Sequence, residues 1–259
     1  MTTPMHPLWL WFHKTGSPPE FYRLAGRWLP WLWALTLVFG VVGLYLGLLR
    51  APADYLQGES ARIMYIHVPA AWMSMFIFAA MAFFGLLALV WHVKISEVLL
   101  ISAAPIGMGF TAITLITGSL WGRPTWGTYW VWDARLTSEL VLLFLYFGVL
   151  GLFHAFDDRR KGARAASLLA LIGLANLPII HYSVTWWNTL HQGNSINLLA
   201  GKSSIDASML WPMLLVAVAC KFWFAASLMQ RARIELIAME SGKDWVQKLL
   251  PTPPEEPNR

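Results

Sequence analysis

Charged residues in this chain occur in clusters, and six long apolar runs separate the clusters. The runs cover about 28–49, 69–91, 98–120, 139–156, 166–183 and 207–228. Each is close to the roughly 20 residues that an α-helix needs to cross about 30 Å of hydrocarbon. Because apolar residues make up 57% of the chain and charged residues 13%, we predict an all-α polytopic membrane protein with six transmembrane helices.

The positive charges are divided unequally between the two ends of these runs. Thirteen Lys and Arg residues lie on the side that carries both termini, and five lie on the opposite side. The five are Arg50, Arg62, Arg123, Arg135 and Lys202. The positive-inside rule therefore predicts cytoplasmic termini and places the segments 50–68, 121–138 and 184–206 outside. The net charge of +5 does not require a nucleic-acid partner, because cationic loops on the cytoplasmic side account for it.

The runs also divide the chain into three parts. We expect a cytoplasmic N-terminal segment at 1–27, a six-helix membrane domain at 28–228 and a cytoplasmic tail at 229–259. The tail ends in PTPPEEPNR, a composition typical of disorder, so the tail is predicted to be partly disordered. The lone cysteine, Cys220, lies inside the sixth run and has no partner for a disulfide or a thiol pair.

The segment at 121–133, WGRPTWGTYWVWD, contains four Trp, one Tyr, two Gly and one Pro. Gly and Pro interrupt regular structure and indoles present large flat faces, so we expect a folded loop that lays aromatic rings against a flat ligand. The alternative is an interfacial aromatic belt, which better explains the tryptophans at the ends of the apolar runs. A belt is a poorer explanation for the four tryptophans that repeat within a polar connection, which are Trp121, Trp126, Trp130 and Trp132.

Two histidines lie on the same predicted face as this loop, one on each side of it in the sequence. His67 stands two residues before Pro69, which suits the first turn of the second helix. His191 follows a pair of tryptophans in the third outer segment. A single histidine is more often a hydrogen-bonded structural residue than a metal ligand, so their shared face is what supports ligation. His181, at the outer end of the fifth run, is the competing candidate.

Haem fits this combination of residues. Its macrocycle packs against aromatic faces, its iron takes one or two axial nitrogen ligands, and its two propionates attract cations. Arg62, Arg123 and Arg135 are three of the five outer cations, and a guanidinium is the natural partner of a carboxylate. Arg135 has an alternative role, because Glu139 lies four residues later on the predicted fourth helix and can form a helical ion pair with it. Asp133 is placed to cap the start of that helix.

The same residues carry a family resemblance. WGRPTWGTYWVWDARLTSEL resembles the WWD signature of the haem-handling proteins of cytochrome c maturation. IHVPAAW, HAFDDRR and NLPIIHYSVTWWNTLHQG are similar to the CcmC family, and the resemblance runs from about Trp28 to Trp223. The related CcmF and CcsA families share the Trp motif but are usually longer or carry more spans, so six spans favour CcmC.

The resemblance implies a site and a role. It implies transient, non-covalent binding of haem b, with His67 and His191 as the axial ligands of the iron. The other implied or candidate contact residues are Trp121, Trp126, Trp130, Trp132, Asp133, Arg62, Arg123 and Arg135. The implied partners are the ABC-type subunits CcmA and CcmB, the small CcmD and the periplasmic chaperone CcmE, which receives haem at the bacterial inner membrane. On this interpretation the chain binds and delivers haem and is not an enzyme.

Two other classes of protein remain as alternatives from the residues alone. An intramembrane oxidoreductase or transferase needs polar or ionisable groups at mid-span. The runs offer Asn176, Thr111 and Thr114 there, and no carboxylate is expected among them. A purely structural subunit of a transporter is the second alternative, and it leaves the Trp-rich segment unexplained.

Overall fold

The computed structural model describes residues 16–191, 193, 195–197 and 202–249. Its α-helices are α1 (Pro18–Tyr45), α2 (Met64–Trp91), α3 (Lys94–Trp126), α4 (Ala134–His154), α5 (Arg159–Gly173), α6 (Asn176–Trp186), α7 (Ala207–Met239) and α8 (Asp244–Gln247). A π-helical turn (Leu46–Arg50) continues α1, and a 3₁₀ helix (Glu59–Ile63) leads into α2. Two short antiparallel strands, β1 (Ile196–Asn197) and β2 (Lys202–Ser203), precede α7. The expectations for residues 1–15 and 250–259 lie outside the described residues.

Six helical segments are long and apolar enough to cross a membrane, which confirms the predicted number. They are Pro18–Arg50, Glu59–Trp91, Lys94–Trp126, Ala134–His154, Arg159–Trp186 and Ala207–Met239, with mean hydropathies from 1.7 to 2.4. The fifth segment consists of two helices, because α5 ends at Gly173 and α6 begins at Asn176. The protein is therefore an all-α polytopic membrane protein.

The first and last helices extend beyond the predicted membrane domain of 28–228. α1 begins at Pro18, and α7 continues to Met239. Polar contacts outside the apolar runs stabilise these extra turns: Arg159 Nη2 lies 2.7 Å from Glu235 Oε2, and the Arg233 guanidinium lies 4.1 Å from the centre of the Tyr22 ring. Hydropathy marks only the part of a helix that needs hydrocarbon around it, so it underestimates helices that continue into water.

The hydrophobic core lies mainly among α2, α3, α4 and α5, while α1 packs along α7. Phe78 of α2 and Tyr146 of α4 are fully buried, with ring centroids 5.2 Å apart. The Tyr146 hydroxyl donates to the carbonyl oxygen of Ser74 at 2.7 Å. Gly107 of α3 permits this approach, because a Cβ there would lie 2.2 Å from the Tyr146 hydroxyl. This packing fixes α2, α3 and α4 relative to one another.

The Trp-rich segment is only partly a loop, which corrects the expectation drawn from its Gly and Pro content. α3 continues through Pro124 to Trp126 and ends where Gly127 adopts a left-handed conformation with φ 80°. Pro124 lies in the last turn of this helix, so the backbone hydrogen bond that it cannot donate is lost only at the helix end. Only residues 127–133 are non-helical, and α4 begins at Ala134.

Candidate functional site

Side chains from four separate parts of the chain meet at one end of the helix bundle. We call this end the Trp face; it consists of the start of α2, the end of α3, the connection 127–133 and the residues that follow α6. The rings of His67 and Trp121 have centroids 5.7 Å apart, and those of His191 and Trp126 have centroids 4.8 Å apart. Both histidines therefore lie on one face, each against an indole of α3.

His67 lies in the first turn of α2, before Pro69. Its Nδ1 is 3.0 Å from Thr117 Oγ1 of α3. Gly118 leaves room for the ring, since a Cβ there would lie 3.0 Å from His67 Cε1. Trp121, one turn further along α3, meets the ring edge-on at an interplanar angle of 77°. One side of α3 thus holds the imidazole through three residues.

His191 lies in the non-helical segment after α6, beside Asp133. Its Nδ1 is 3.5 Å from Asp133 Oδ2, which is a close charge contact and not a hydrogen bond. The other oxygen, Asp133 Oδ1, accepts from the Leu136 amide at 2.8 Å, so the carboxylate caps α4 as the sequence predicts. Burial raises the pKa of Asp133, but His191 and the amides of Leu136 and Arg135 outweigh it, so this pKa lies below its ordinary value. The carboxylate beside His191 is therefore ionised at neutral pH.

The four candidate tryptophans have different surroundings. Trp121 and Trp126 project from α3 towards the two histidines. Trp121 Nε1 also donates to Gln57 Oε1 at 2.7 Å, which fixes the orientation of that indole. Trp130 and Trp132 belong to the connection and meet edge-on, with centroids 5.4 Å apart. Trp132 is 78% exposed, so its ring is available at the surface of the Trp face.

Two of the three candidate arginines already have partners. Arg62 is paired with Glu59 and also donates through Nη1 to the carbonyl oxygen of Gly47 at 2.9 Å. Arg123 is exposed and donates to the carbonyl oxygen of Gly127, next to the end of α3. Both guanidinium groups therefore stabilise the backbone close to them.

Arg135 differs from these two arginines. It is half-buried, and its guanidinium group has neither an ion pair nor a hydrogen bond to any residue that the structure describes. Its charge interacts with Asp133 and Glu139 at longer range. The alternative ion pair with Glu139 does not form, because the Glu139 carboxylate accepts from Ser74 Oγ at 2.8 Å and is 5% exposed. Glu139, the first residue of the predicted fourth run, is therefore a buried carboxylate near the start of α4.

Four buried polar atoms of the Trp face have no hydrogen-bond partner in the described part of the chain. They are Trp130 Nε1, Asp133 Oδ2, Thr189 Oγ1 and His191 Nδ1. Most buried polar atoms in folded proteins are paired, so a group of unpaired ones indicates a place where a polar ligand or water binds. An indole N–H and a hydroxyl are donors that suit a carboxylate ligand.

Other candidate positions lie apart from this group. His181 is exposed, and its ring contacts Tyr182 with centroids 4.7 Å apart. Among the described residues, no three His, Cys, Asp or Glu side chains are arranged to hold a free metal ion. A cavity of about 430 Å³ lies between α3 and α7, and its lining, which includes Pro105, Trp223 and Arg231, contains no histidine or carboxylate.

Three residues of the site were missed in the sequence. They are Gln57, which holds Trp121, and Thr117 and Gly118, which contact His67. Small and polar residues near a helix end carry no specific signal. Thr117 stands four residues before Trp121, so the two share a helix face, and this spacing is the one feature that could have pointed to it.

This geometry defines a class: a polytopic helical membrane protein with two histidine–indole pairs on one face. The family model for CcmC, described as heme exporter protein C, matches residues 11–247, so the chain belongs to the CcmC family. The chain is 49% identical over 243 residues to heme exporter protein C of Escherichia coli strain K12, covering 94% of this chain and 98% of that relative.

Two further relatives agree with this assignment. Heme exporter protein C of Haemophilus influenzae is 47% identical over 245 residues, which are 95% of this chain and 99% of the relative. Heme exporter protein C of Bradyrhizobium diazoefficiens is 49% identical over 222 residues, which are 86% of this chain and 84% of the relative. The family model's match at residues 11–247 covers all six spans and the Trp face.

Proposed function

We propose that this chain binds haem on the Trp face and delivers it to the chaperone CcmE during cytochrome c maturation. Membership of a family described as heme exporter protein C supports a role in haem handling. The observation that carries the finer proposal is the pair of imidazoles, His67 and His191, each held against an indole on one face of the protein.

Each imidazole is contacted through the same ring nitrogen. Nδ1 of His67 faces Thr117 at 3.0 Å, and Nδ1 of His191 faces Asp133 at 3.5 Å. In both rings Nε2 is therefore the nitrogen available to a metal. Metal-bound histidines commonly use one nitrogen for the metal and the other for a carboxylate, carbonyl or water. The two rings are thus prepared as axial ligands.

The remaining groups fit the other parts of haem. Bound haem would supply an iron with two axial positions, an apolar macrocycle and two propionates. The indoles offer apolar faces, and Trp130 Nε1 and Thr189 Oγ1 are unpaired donors for propionate oxygens. Arg135 is the propionate partner in this proposal, because Arg62 and Arg123 are engaged elsewhere. Asp133 acts through His191 and does not contact the ligand directly.

The two histidines differ in how easily they can move. His67 belongs to the first turn of α2 and is braced by α3, whereas His191 lies in a non-helical segment. Loop residues are displaced more readily than residues of packed helices. His191 is therefore the ligand that dissociates when haem passes to the chaperone. The partner's own residue makes the covalent bond to haem, and this chain holds haem b transiently and without a covalent bond.

The proposed setting is the bacterial inner membrane, with the Trp face in the periplasm. The excess of cations at the opposite end supports this orientation, and Arg159, Arg160 and Lys161 at the start of α5 are part of that excess. CcmA, CcmB and CcmD complete the proposed complex, as the family resemblance implies.

The experiment that tests the site replaces each histidine by Gly in the chain expressed with its partners. We expect His67→Gly and His191→Gly to lose most of their haem, measured by the Soret band and a pyridine haemochrome assay after purification. Added imidazole should restore the band in both, because it supplies the missing nitrogen. His181→Gly is the matched control and should keep a wild-type spectrum. A wild-type spectrum in either of the first two variants would refute the ligand assignment.

Delivery is tested separately, by the covalent haem carried by CcmE when it is expressed with this chain or alone. We expect His191→Gly to abolish haem transfer without imidazole. Equal amounts of haem on the chaperone with and without this chain would contradict the proposed delivery.

A further inference from the structure

The hydroxyl group of Thr117 has one proton, and α3 itself uses it. Thr117 Oγ1 lies 2.6 Å from the carbonyl oxygen of Ile113 and 3.3 Å from that of Thr114. Both carbonyl oxygens can only accept, so the hydroxyl donates within α3 in either case. What Thr117 offers to another helix is therefore a lone pair.

His67 Nδ1 lies 3.0 Å from this hydroxyl oxygen. Because the proton of Thr117 is engaged, the imidazole must be the donor in this contact. A neutral imidazole carries one N–H, so a proton on Nδ1 leaves Nε2 as an electron-pair donor. The contact with α3 therefore selects one tautomer of His67.

Neighbouring groups resist rotation of the ring out of this contact. A Cβ at position 118 would lie 3.0 Å from His67 Cε1, so the imidazole is packed directly against Gly118. The Trp121 ring meets it edge-on, and Trp121 is itself held by Gln57. Exchange of Nδ1 and Nε2 requires the ring to turn over between these groups.

We propose that Thr117 is a positioning residue that holds His67 in the Nδ1–H tautomer and so keeps Nε2 free for a metal. This inference rests on the ligand role proposed above for His67. It also makes the two ligands chemically unequal, because His67 donates to a neutral hydroxyl while His191 faces the carboxylate of Asp133. A carboxylate partner increases the basicity of an imidazole more than a hydroxyl does.

The tautomer can be measured without haem, in the full chain labelled with ¹⁵N-histidine. NMR of the imidazole nitrogens distinguishes protonated from unprotonated positions, and His67→Gln assigns the signals of His67. We expect Nδ1–H in the wild-type protein. Thr117→Val, which keeps the shape but removes the hydroxyl, should increase the Nε2–H fraction, and Thr117→Ser should restore the wild-type pattern. A wild-type ring protonated on Nε2 would overturn the proposal.

Thr111→Val is the matched control for this comparison. Thr111 is buried on the same helix, and its hydroxyl donates to the carbonyl oxygen of Gly107 at 2.9 Å. The substitution removes the same kind of intrahelical hydrogen bond without touching His67. We expect Thr111→Val to leave the imidazole signals unchanged. Equal changes in Thr111→Val and Thr117→Val would mean that both act through the helix, which would overturn the positioning role.

Haem binding provides the second measurement. We expect Thr117→Val to weaken haem binding about 10-fold, at the low end of the roughly 10–100-fold range for partners of metal-bound histidines. The midpoint potential should rise, because a less electron-donating imidazole stabilises ferric iron less. Unchanged affinity and potential in Thr117→Val would refute the inference. If His67→Gly instead retains haem, the proposed ligand role fails, while the tautomer result still stands by itself.

Discussion

Replacing Asp133 by Asn separates two roles of one carboxylate. Oδ1 of Asp133 caps α4 by accepting from the Leu136 amide at 2.8 Å, and Oδ2 faces His191 Nδ1 at 3.5 Å. Asn is about as effective as Asp at the N-cap, the residue that directly precedes the first helical residue. Asp133→Asn should therefore preserve the cap while it removes the negative charge beside His191.

The size of the effect follows from these contacts. Loss of the partner of a metal-bound histidine costs about 10–100-fold in affinity, or about 1.4–2.8 kcal/mol. We expect a value near the upper end, because the side chains of His191 and Asp133 are only 19% and 8% exposed, so water screens the contact weakly. Asp133→Ala should lose the same affinity and also destabilise α4 by about 0.5–2 kcal/mol, since it removes the cap as well.

The assay is a haem titration of the purified, haem-free variants followed by the Soret band, together with thermal unfolding followed by circular dichroism. Asp133→Asn should show weaker haem binding at an unchanged apparent Tm. Asp133→Ala should show both changes. Wild-type affinity in Asp133→Asn would refute the argument that the carboxylate supports His191 and would leave Asp133 as a helix cap only.

Three further outcomes are expected. Reporter fusions should place the Trp-rich segment outside and 157–164 inside, and a periplasmic signal from 157–164 would contradict the proposed orientation. Glu139→Gln should leave haem content unchanged. Arg135→Gln should lower haem affinity about 10-fold, since a hydrogen bond to a charged group contributes about 1.5–3 kcal/mol. Equal losses of haem absorbance in the two variants would mean that the two residues act as a pair. Burial raises the pKa of Glu240, but hydrogen bonding, mainly with Lys94, lowers it overall. The stability gained from a lowered folded-state pKa is present above the unfolded value of about 4.3 and is lost at lower pH. Glu240→Gln should therefore lower the apparent Tm at about pH 7 but not at about pH 3, and an equal decrease at both values would count against the ion pair.

The sequence by itself determined the class of fold and the candidate ligands, because those signals are local. A span needs about 20 apolar residues in succession, and the cap at Asp133 depends on a few neighbouring residues. The position of His67 before Pro69 likewise indicated a first helical turn, and the structure has it there. That His67 and His191 bind iron is a prediction that rests on their shared face and on the family resemblance.

Only the tertiary structure decided which side chains are engaged and which are available. Arg62 donates to Gly47, 15 residues away, and Glu139 accepts from Ser74, 65 residues away. Neither partner can be identified from spacing along one helix. The spacing left an ion pair between Arg135 and Glu139 open as an alternative, and among the described residues the Arg135 guanidinium has no such partner. The contact between His67 and Thr117 spans 50 residues. Such contacts depend on how α2, α3 and α4 pack against one another, and that is set by the shapes of many buried side chains together.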